Sequence, residues 1–266
     1  MKTRVFTAVV LLAVFLPLLL WAPPPLWNAL VALVVGAAAH EWAHLSRFPK
    51  HAGWGYGVAL GALTLFLPLL AGERWAGFQA GLLWLGAGFW LVAAPLWLAR
   101  GWRLPQTAIR AAAGVVVLLP CWAGVALLRD ANPWLLLGVL GLVWVADSAA
   151  YFSGRAFGHN KLAPSISPGK TWEGVGGALA GVVAYVAVLA LVLGERPLPS
   201  LFIAAAVLLY FSVLGDLFES WIKRVSQIKD SGSLLPGHGG VLDRIDALTA
   251  VLPLAAVAVL VLGGGR

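Results

Sequence analysis

Residues 1–25 read MKTRVFTAVVLLAVFLPLLLWAPPP, and how this stretch is taken decides how every later segment is counted. Lys2 and Arg4 precede an apolar run, an arrangement shared by a cleaved leader and a first membrane span. The run is roughly 16–17 residues, long for a leader, whose apolar part is about 7–15 residues. No A-x-A cleavage site follows it. The stretch reads as a span that starts on the cytoplasmic side.

The rest of the chain agrees. Of 266 residues, 61% are apolar and 11% charged, and the mean hydropathy is +0.90. A soluble domain carries about 25% charged residues. The composition is that of a polytopic, all-α membrane protein. Segments apolar enough to cross a bilayer fall at about 5–22, 26–45, 54–71, 76–99, 109–128, 134–152, 172–194, 199–218 and 248–264. That makes nine transmembrane helices. Two connections are long, 153–171 and 219–247. With the N-terminus inside, 14 of the 18 Lys and Arg fall on the cytoplasmic side and 4 on the other. This bias places both long loops in the cytoplasm and the C-terminus outside. The net charge of +7 then reflects cytoplasmic loops, not a nucleic-acid partner. A single cysteine, Cys121, excludes an intramolecular disulfide and a multi-cysteine zinc site. The chain is expected to form one transmembrane domain: N-terminal membrane helices over 1–130, catalytic helices and loops over 134–250, and a last helix over 248–266.

Against this apolar background, residues 216–246 hold nine of the 29 charged side chains in 31 positions. Asp216, Glu219, Ser220 and Lys223 share one helix face by their spacing. Asp243 and Asp246 lie three apart with Arg244 between them. Glu41, Asp147 and Asp216 fall inside or at the ends of spans, and Glu173 and Glu219 at helix ends, all near the cytoplasmic side. An ionisable group within a span costs about 2.5–3.5 kcal/mol on insertion scales and faces a cavity or a partner. Five acids at one depth therefore suggest a polar cavity open to the cytoplasm.

The residue types indicate the chemistry. Carboxylates without cysteine suit a hard cation such as Mg2+, which takes oxygen ligands and shares phosphate oxygens with substrates. Lys223, Arg224, Lys229 and Arg244 can neutralise phosphates. Gly237, Gly239 and Gly240 flank His238 and let backbone N–H groups approach an anion. Ser165, Ser167, Lys170 and Thr171 precede a span that starts near Trp172, a helix start suited to phosphate. Pro168-Gly169-Lys170-Thr171 looks like the end of a Walker A loop, but Pro164 stands where its first glycine belongs. The set fits metal-assisted phosphoryl or nucleotidyl transfer, in which the protein positions substrates and offsets charge. A solvated loop of mixed charges would explain the charge count, but not a G-H-G-G turn joined to D-R-x-D.

These residues resemble the signature of the phosphatidate cytidylyltransferases, or CDP-diacylglycerol synthases. The match runs through Ser220, Lys223-Arg224, Lys229-Asp230, Pro236 to Gly240 and Asp243-Arg244-Ile245-Asp246. Upstream, Asp147 to Tyr151, Gly154 to Gly158 and Ser165 to Gly174 resemble further family motifs. Gly169 replaces a frequent lysine, which puts more weight on Lys170, and Ala149 stands where a glycine is common. The resemblance covers roughly residues 144–250. It implies cytidylyl transfer from CTP to phosphatidic acid with Mg2+, giving CDP-diacylglycerol and pyrophosphate. It also implies that Asp216 and Asp243 hold metal. Asp147 and Asp246 are candidates to complete that shell or to hold a second cation. Lys170, Lys223, Arg224, Lys229 and Arg244 are expected on phosphates, with Ser167, Thr171, His238 and the loop glycines as further contacts. The site would face the cytoplasm, at the inner membrane if the source is a bacterium. A homodimer is compatible with this reading.

Rival readings carry other signals. A CTP-dependent polyprenol kinase would share the setting and the metal. His40-Glu41-Trp42-Ala43-His44 matches H-E-x-x-H, the zinc pair and base of an intramembrane metalloprotease. Its third ligand is missing, because Leu242-Asp243-Arg244 lacks the expected glycine. An ion-coupled transporter is disfavoured because the acids gather at one face and no inverted repeat is evident.

Overall fold

The computed structural model describes residues 2–103, 106–194, 198–232, 234 and 239–263. The helices are α1 (Lys2–Trp21), α2 (Pro24–Leu45), α3 (Lys50–Ala71), α4 (Trp75–Gly88), α5 (Ala94–Arg100), α6 (Thr107–Ala131), α7 (Pro133–Phe157), α8 (Trp172–Val192), α9 (Pro199–Ser226) and α10 (Leu242–Gly263). A short 3-10 turn, Gly72–Arg74, joins α3 to α4, and a π-helical turn, Phe89–Ala93, joins α4 to α5. Among the described residues, seven helical stretches are long and apolar enough to cross a membrane. One of them, Lys50–Arg100, is 51 residues long and includes the break at Gly72 (φ 51°). The protein is thus an all-α, multi-spanning membrane protein, with one small hairpin as its only sheet among the described residues.

Local chemistry explains the ends. Prolines at the starts of α2, α7 and α9 occupy positions where the missing N–H costs nothing. The Asn132 side chain accepts from Trp134 N (2.9 Å) and caps α7. Thr171 does the same for α8, accepting from Gly174 N at 3.1 Å. At the end of α1, the buried Arg129 donates to Leu19 O (3.1 Å) and to Ala22 O, supplying carbonyls that the helix leaves unpaired. Its guanidinium also lies 4.8 Å from the Trp27 ring centroid.

Three helices outrun the hydropathy. α7 continues to Phe157, α9 to Ser226, and α10 begins at Leu242, so the expected 219–247 loop shrinks to residues 227–241. A span criterion stops where charges begin, but helical hydrogen bonding does not. The Asp216–Lys223 face simply carries α9 past the apolar core. Within the 153–171 connection, β1 (Lys161–Ala163) and β2 (Ser167–Thr171) pair antiparallel as a hairpin.

Two contacts fix α9 at the level of the acids. Phe218 is fully buried, with edge-on rings of Phe89, Trp90 and Trp97 at centroid distances of 5.4, 5.5 and 5.4 Å. One residue before the acidic face, Gly215 meets α10 so closely that a Cβ would lie 2.7 Å from Asp246 O. Glycine here brings Asp216 and Asp246 side by side.

Candidate active site

A cavity of about 500 Å3 opens between α7, β2, α8 and α9. Asp147, Ser167, Lys170, Thr171 and Asp216 line it, with Tyr151 and Arg155 at its edge. Lys170 Nζ lies 2.5 Å from Asp216 Oδ2, across from one helix to the hairpin. Asp147 interacts electrostatically with Asp216, Lys170 and Arg244. The hairpin is anchored at both ends. Asn160 N and Nδ2 donate to the Glu173 carboxylate, the shortest at 2.7 Å, and Arg224 Nε donates to Ile166 O at 3.1 Å.

A second cluster sits one turn along α9. Lys223 Nζ reaches Glu219 Oε2 at 2.6 Å and Asp243 Oδ1 at 2.8 Å. Asp243 also accepts from Ser231 N (3.2 Å) and Gly240 N (2.8 Å). Asp246 lies within electrostatic range of both Asp216 and Glu219, like-charged neighbours from the two clusters. Its own carboxylate accepts from Ala247 N at 2.7 Å.

The sequence-predicted residues thus separate into three groups. Lys170, Asp216 and Asp147 are brought together around the cavity, with Ser167 on its wall, and Arg244 lies within electrostatic range of Asp147. Lys223, Asp243 and Asp246 form the adjoining network. Arg224 and Thr171 are engaged in holding the hairpin and capping α8, and Lys229 is exposed beyond the end of α9. Gly239 adopts φ 83°, and the Gly240 N–H faces the protein's own Asp243. Gly237 and His238 lie outside the described residues. Of the five acids expected at one depth, Asp147, Asp216 and Glu219 converge. Glu173 turns to the hairpin instead, and Glu41 turns to the 231–242 loop, because each meets several N–H or hydroxyl donors there.

Glu219 is a buried member of this network that the motif reading left in the background. Its carboxylate is 2% exposed; Oε2 holds Lys223, and Oε1 is buried with no hydrogen-bond partner among the described residues. The i,i+4 spacing of Glu219 and Lys223 is the signal that marks this pair.

The donor set suits a hard divalent cation. Asp147, Asp216, Glu219, Asp243 and Asp246 outnumber the nearby Lys170, Lys223 and Arg244, and the bare Glu219 oxygen adds an unsatisfied acceptor. No group of three or more His, Cys, Asp or Glu among the described residues is arranged as a ready metal shell. Substrate oxygens would therefore have to complete one. The H-E-x-x-H pair does not converge either. His40 stacks on Trp54 (centroids 4.1 Å apart, 26° between planes), His44 is exposed, and Glu41 is occupied by three donors.

Known proteins resemble this chain along nearly its whole length. The profile of the Cytidylyltransferase family matches residues 2–262. The chain is 40% identical to a phosphatidate cytidylyltransferase of Pseudomonas aeruginosa, over 100% of this chain and 99% of that one. It is 37% identical to the protein of that name from Haemophilus influenzae, over 95% of this chain and 96% of that one. For the one from Staphylococcus haemolyticus the identity is 33%, over 96% and 97%.

Proposed function

This chain belongs to the phosphatidate cytidylyltransferase family, and we propose that its cavity is where CTP and phosphatidic acid meet. The reaction joins the cytidylyl group of CTP to phosphatidic acid and releases pyrophosphate, giving CDP-diacylglycerol. The observation that carries the site assignment is the Lys170–Asp216 pair in a cavity walled by membrane helices and a hairpin.

The chemistry follows from the residues. A phosphate oxygen of phosphatidate attacks the α-phosphorus of CTP. A new P–O bond forms, the bond from the α-phosphorus to the bridging oxygen breaks, and the electron pair leaves with pyrophosphate. A phosphate nucleophile is largely ionised near pH 7, so no protein base is needed. The protein must instead hold two anions in line and offset their charge. Lys170 would do this at the cavity, with Ser167 and Thr171 on its wall and Arg244 within electrostatic range of Asp147. Mg2+, held by Asp216 and Asp147, would supply further positive charge against the phosphate oxygens. Asp243 would join them only in exchange for its bond to Lys223. A second cation would be drawn by the acids left over, Glu219 and Asp246 first among them.

The finer topology is part of the same reading. Counting α1 as a span and dividing Lys50–Arg100 at Gly72 gives nine crossings. The Lys and Arg bias then puts the N-terminus and the cavity on the cytoplasmic side, where CTP is found. The lipid substrate reaches the cavity from the bilayer. The chain acts as one domain, in which residues 1–130 support the catalytic helices. No nucleic-acid partner is expected, and a homodimer is compatible with this reading.

Labelled CTP tests the reaction. With purified protein, phosphatidate and Mg2+, label on the α-phosphate should enter the lipid and label on the γ-phosphate should leave as pyrophosphate. Transfer of the γ-label to lipid would instead identify a lipid kinase and overturn the assignment.

A further inference from the structure

The cavity has two unlike parts. Lys170 and Asp216 mark the charged part, where the hairpin meets α9. Farther from the hairpin its wall includes Ala178, Leu209 and Val213, which are apolar. Ser212 lines the cavity at the same level of α9 and is 2% exposed. It lies four residues before Asp216, so the two share a helix face. At 1.5 Å per residue, Ser212 stands about 6 Å farther from the charged end of α9.

Its hydroxyl is unspent. Ser153 on α7 and Thr249 on α10 donate their hydroxyls to the carbonyls of Ala149 and Asp246. Among the described residues, Ser212 makes no such bond. A buried hydroxyl without a partner is costly, and an acceptor supplied from the cavity would offset that cost.

We propose that Ser212 is a specificity-determining residue for the lipid: its hydroxyl donates to an ester carbonyl of phosphatidic acid whose phosphate sits at Lys170 and Asp216. The inference rests on the cytidylyltransferase reading above. In a diacylglycerol phosphate, the ester carbonyls hang from the glycerol a few bonds from the phosphorus, and only hydrocarbon follows them. That order matches the cavity: charge at Lys170 and Asp216, one hydroxyl a helix turn away, then an apolar wall. The base and ribose of CTP are too polar for a wall of alanine, leucine and valine, so the nucleotide belongs to the charged part.

A site that donates to a carbonyl discriminates against an analogue that lacks it. The test compares diacyl phosphatidic acid with its dialkyl ether analogue of matched chain length, in mixed micelles with the full-length protein. The wild type should use the diacyl lipid with a kcat/KM about fivefold higher. Ser212→Ala should lower that value about fivefold and leave the ether lipid and the KM for CTP within twofold, so that the preference disappears. Full preference in Ser212→Ala would overturn the inference. So would an equal loss for both lipids, which marks a purely structural residue, or a wild type indifferent to the ester. Should Ser212→Ala fail to fold, Ser212→Cys decides, because a thiol is a weak donor, and an undiminished preference there would overturn the inference. Thermal stabilisation by each lipid, measured without CTP, reads the same contact without turnover. The diacyl lipid should raise the wild-type Tm more than the ether does, and Ser212→Ala should erase the difference. A wild type that shows this difference in Tm but transfers no cytidylyl would sink the reaction assignment and leave the Ser212 contact standing.

Discussion

Replacing Lys223 by methionine isolates the charge balance on which the network depends. Lys223 is bonded to Glu219 at 2.6 Å and to Asp243 at 2.8 Å, and the three side chains are 13%, 2% and 8% exposed. Methionine keeps most of the volume and removes the cation. Asp243 retains the N–H groups of Ser231 and Gly240, but Glu219 loses its hydrogen bond from Lys223, and its other oxygen has no donor among the described residues. Breaking a buried pair by removing one partner costs about 3–5 kcal/mol, since the remaining charge stays buried. At about 2–4 °C per kcal/mol for a chain of this size, the melting temperature should fall by roughly 6–20 °C. Adding Glu219→Gln removes the stranded charge and should restore about half of the loss or more. The assay is thermal unfolding of the purified protein in detergent, as a double-mutant cycle. A Lys223→Met protein that melts within a degree of wild type would refute the reasoning. A double variant less stable than the single one would refute it equally.

Asp216→Asn removes the partner of Lys170 and a charge available to Mg2+, and should lower kcat for cytidylyl transfer by at least about a hundredfold with the fold intact; near-normal turnover would remove Asp216 from the site. His44→Ala changes an exposed side chain outside the network, so turnover should stay within about twofold and metal analysis should find no zinc dependence. Complete loss of activity in His44→Ala would revive the protease reading.

The sequence made the all-α, multi-spanning character plain, because the length of an apolar run such as 172–194 is read directly. It did not show where helices end. α9 carries charges through its last turns and α10 through its first, and hydropathy cannot tell a charged helix from a charged loop. The hairpin at 161–171 was hidden for a related reason: it is five and three residues long and half exposed, with no alternating apolar face. Lys170, Asp216 and Asp147 were legible as candidates through their residue types and positions, and all three line one cavity. The pairing of Lys223 with Glu219 and Asp243 was only half legible, since the i,i+4 partner is local but Asp243 is 20 residues away. Glu41 was misleading. Its local motif pointed to zinc, while its actual partners lie 190 to 201 residues downstream, a distance at which sequence spacing carries no information.

The most direct measurement is an experimental structure with Mg2+ and a non-reacting CTP analogue. The triphosphate should lie in the cavity between α7, β2, α8 and α9, with Lys170 on a phosphate oxygen and Asp216 released to the metal. A nucleotide bound at any other place, with the Lys170–Asp216 pair still closed, would contradict the account.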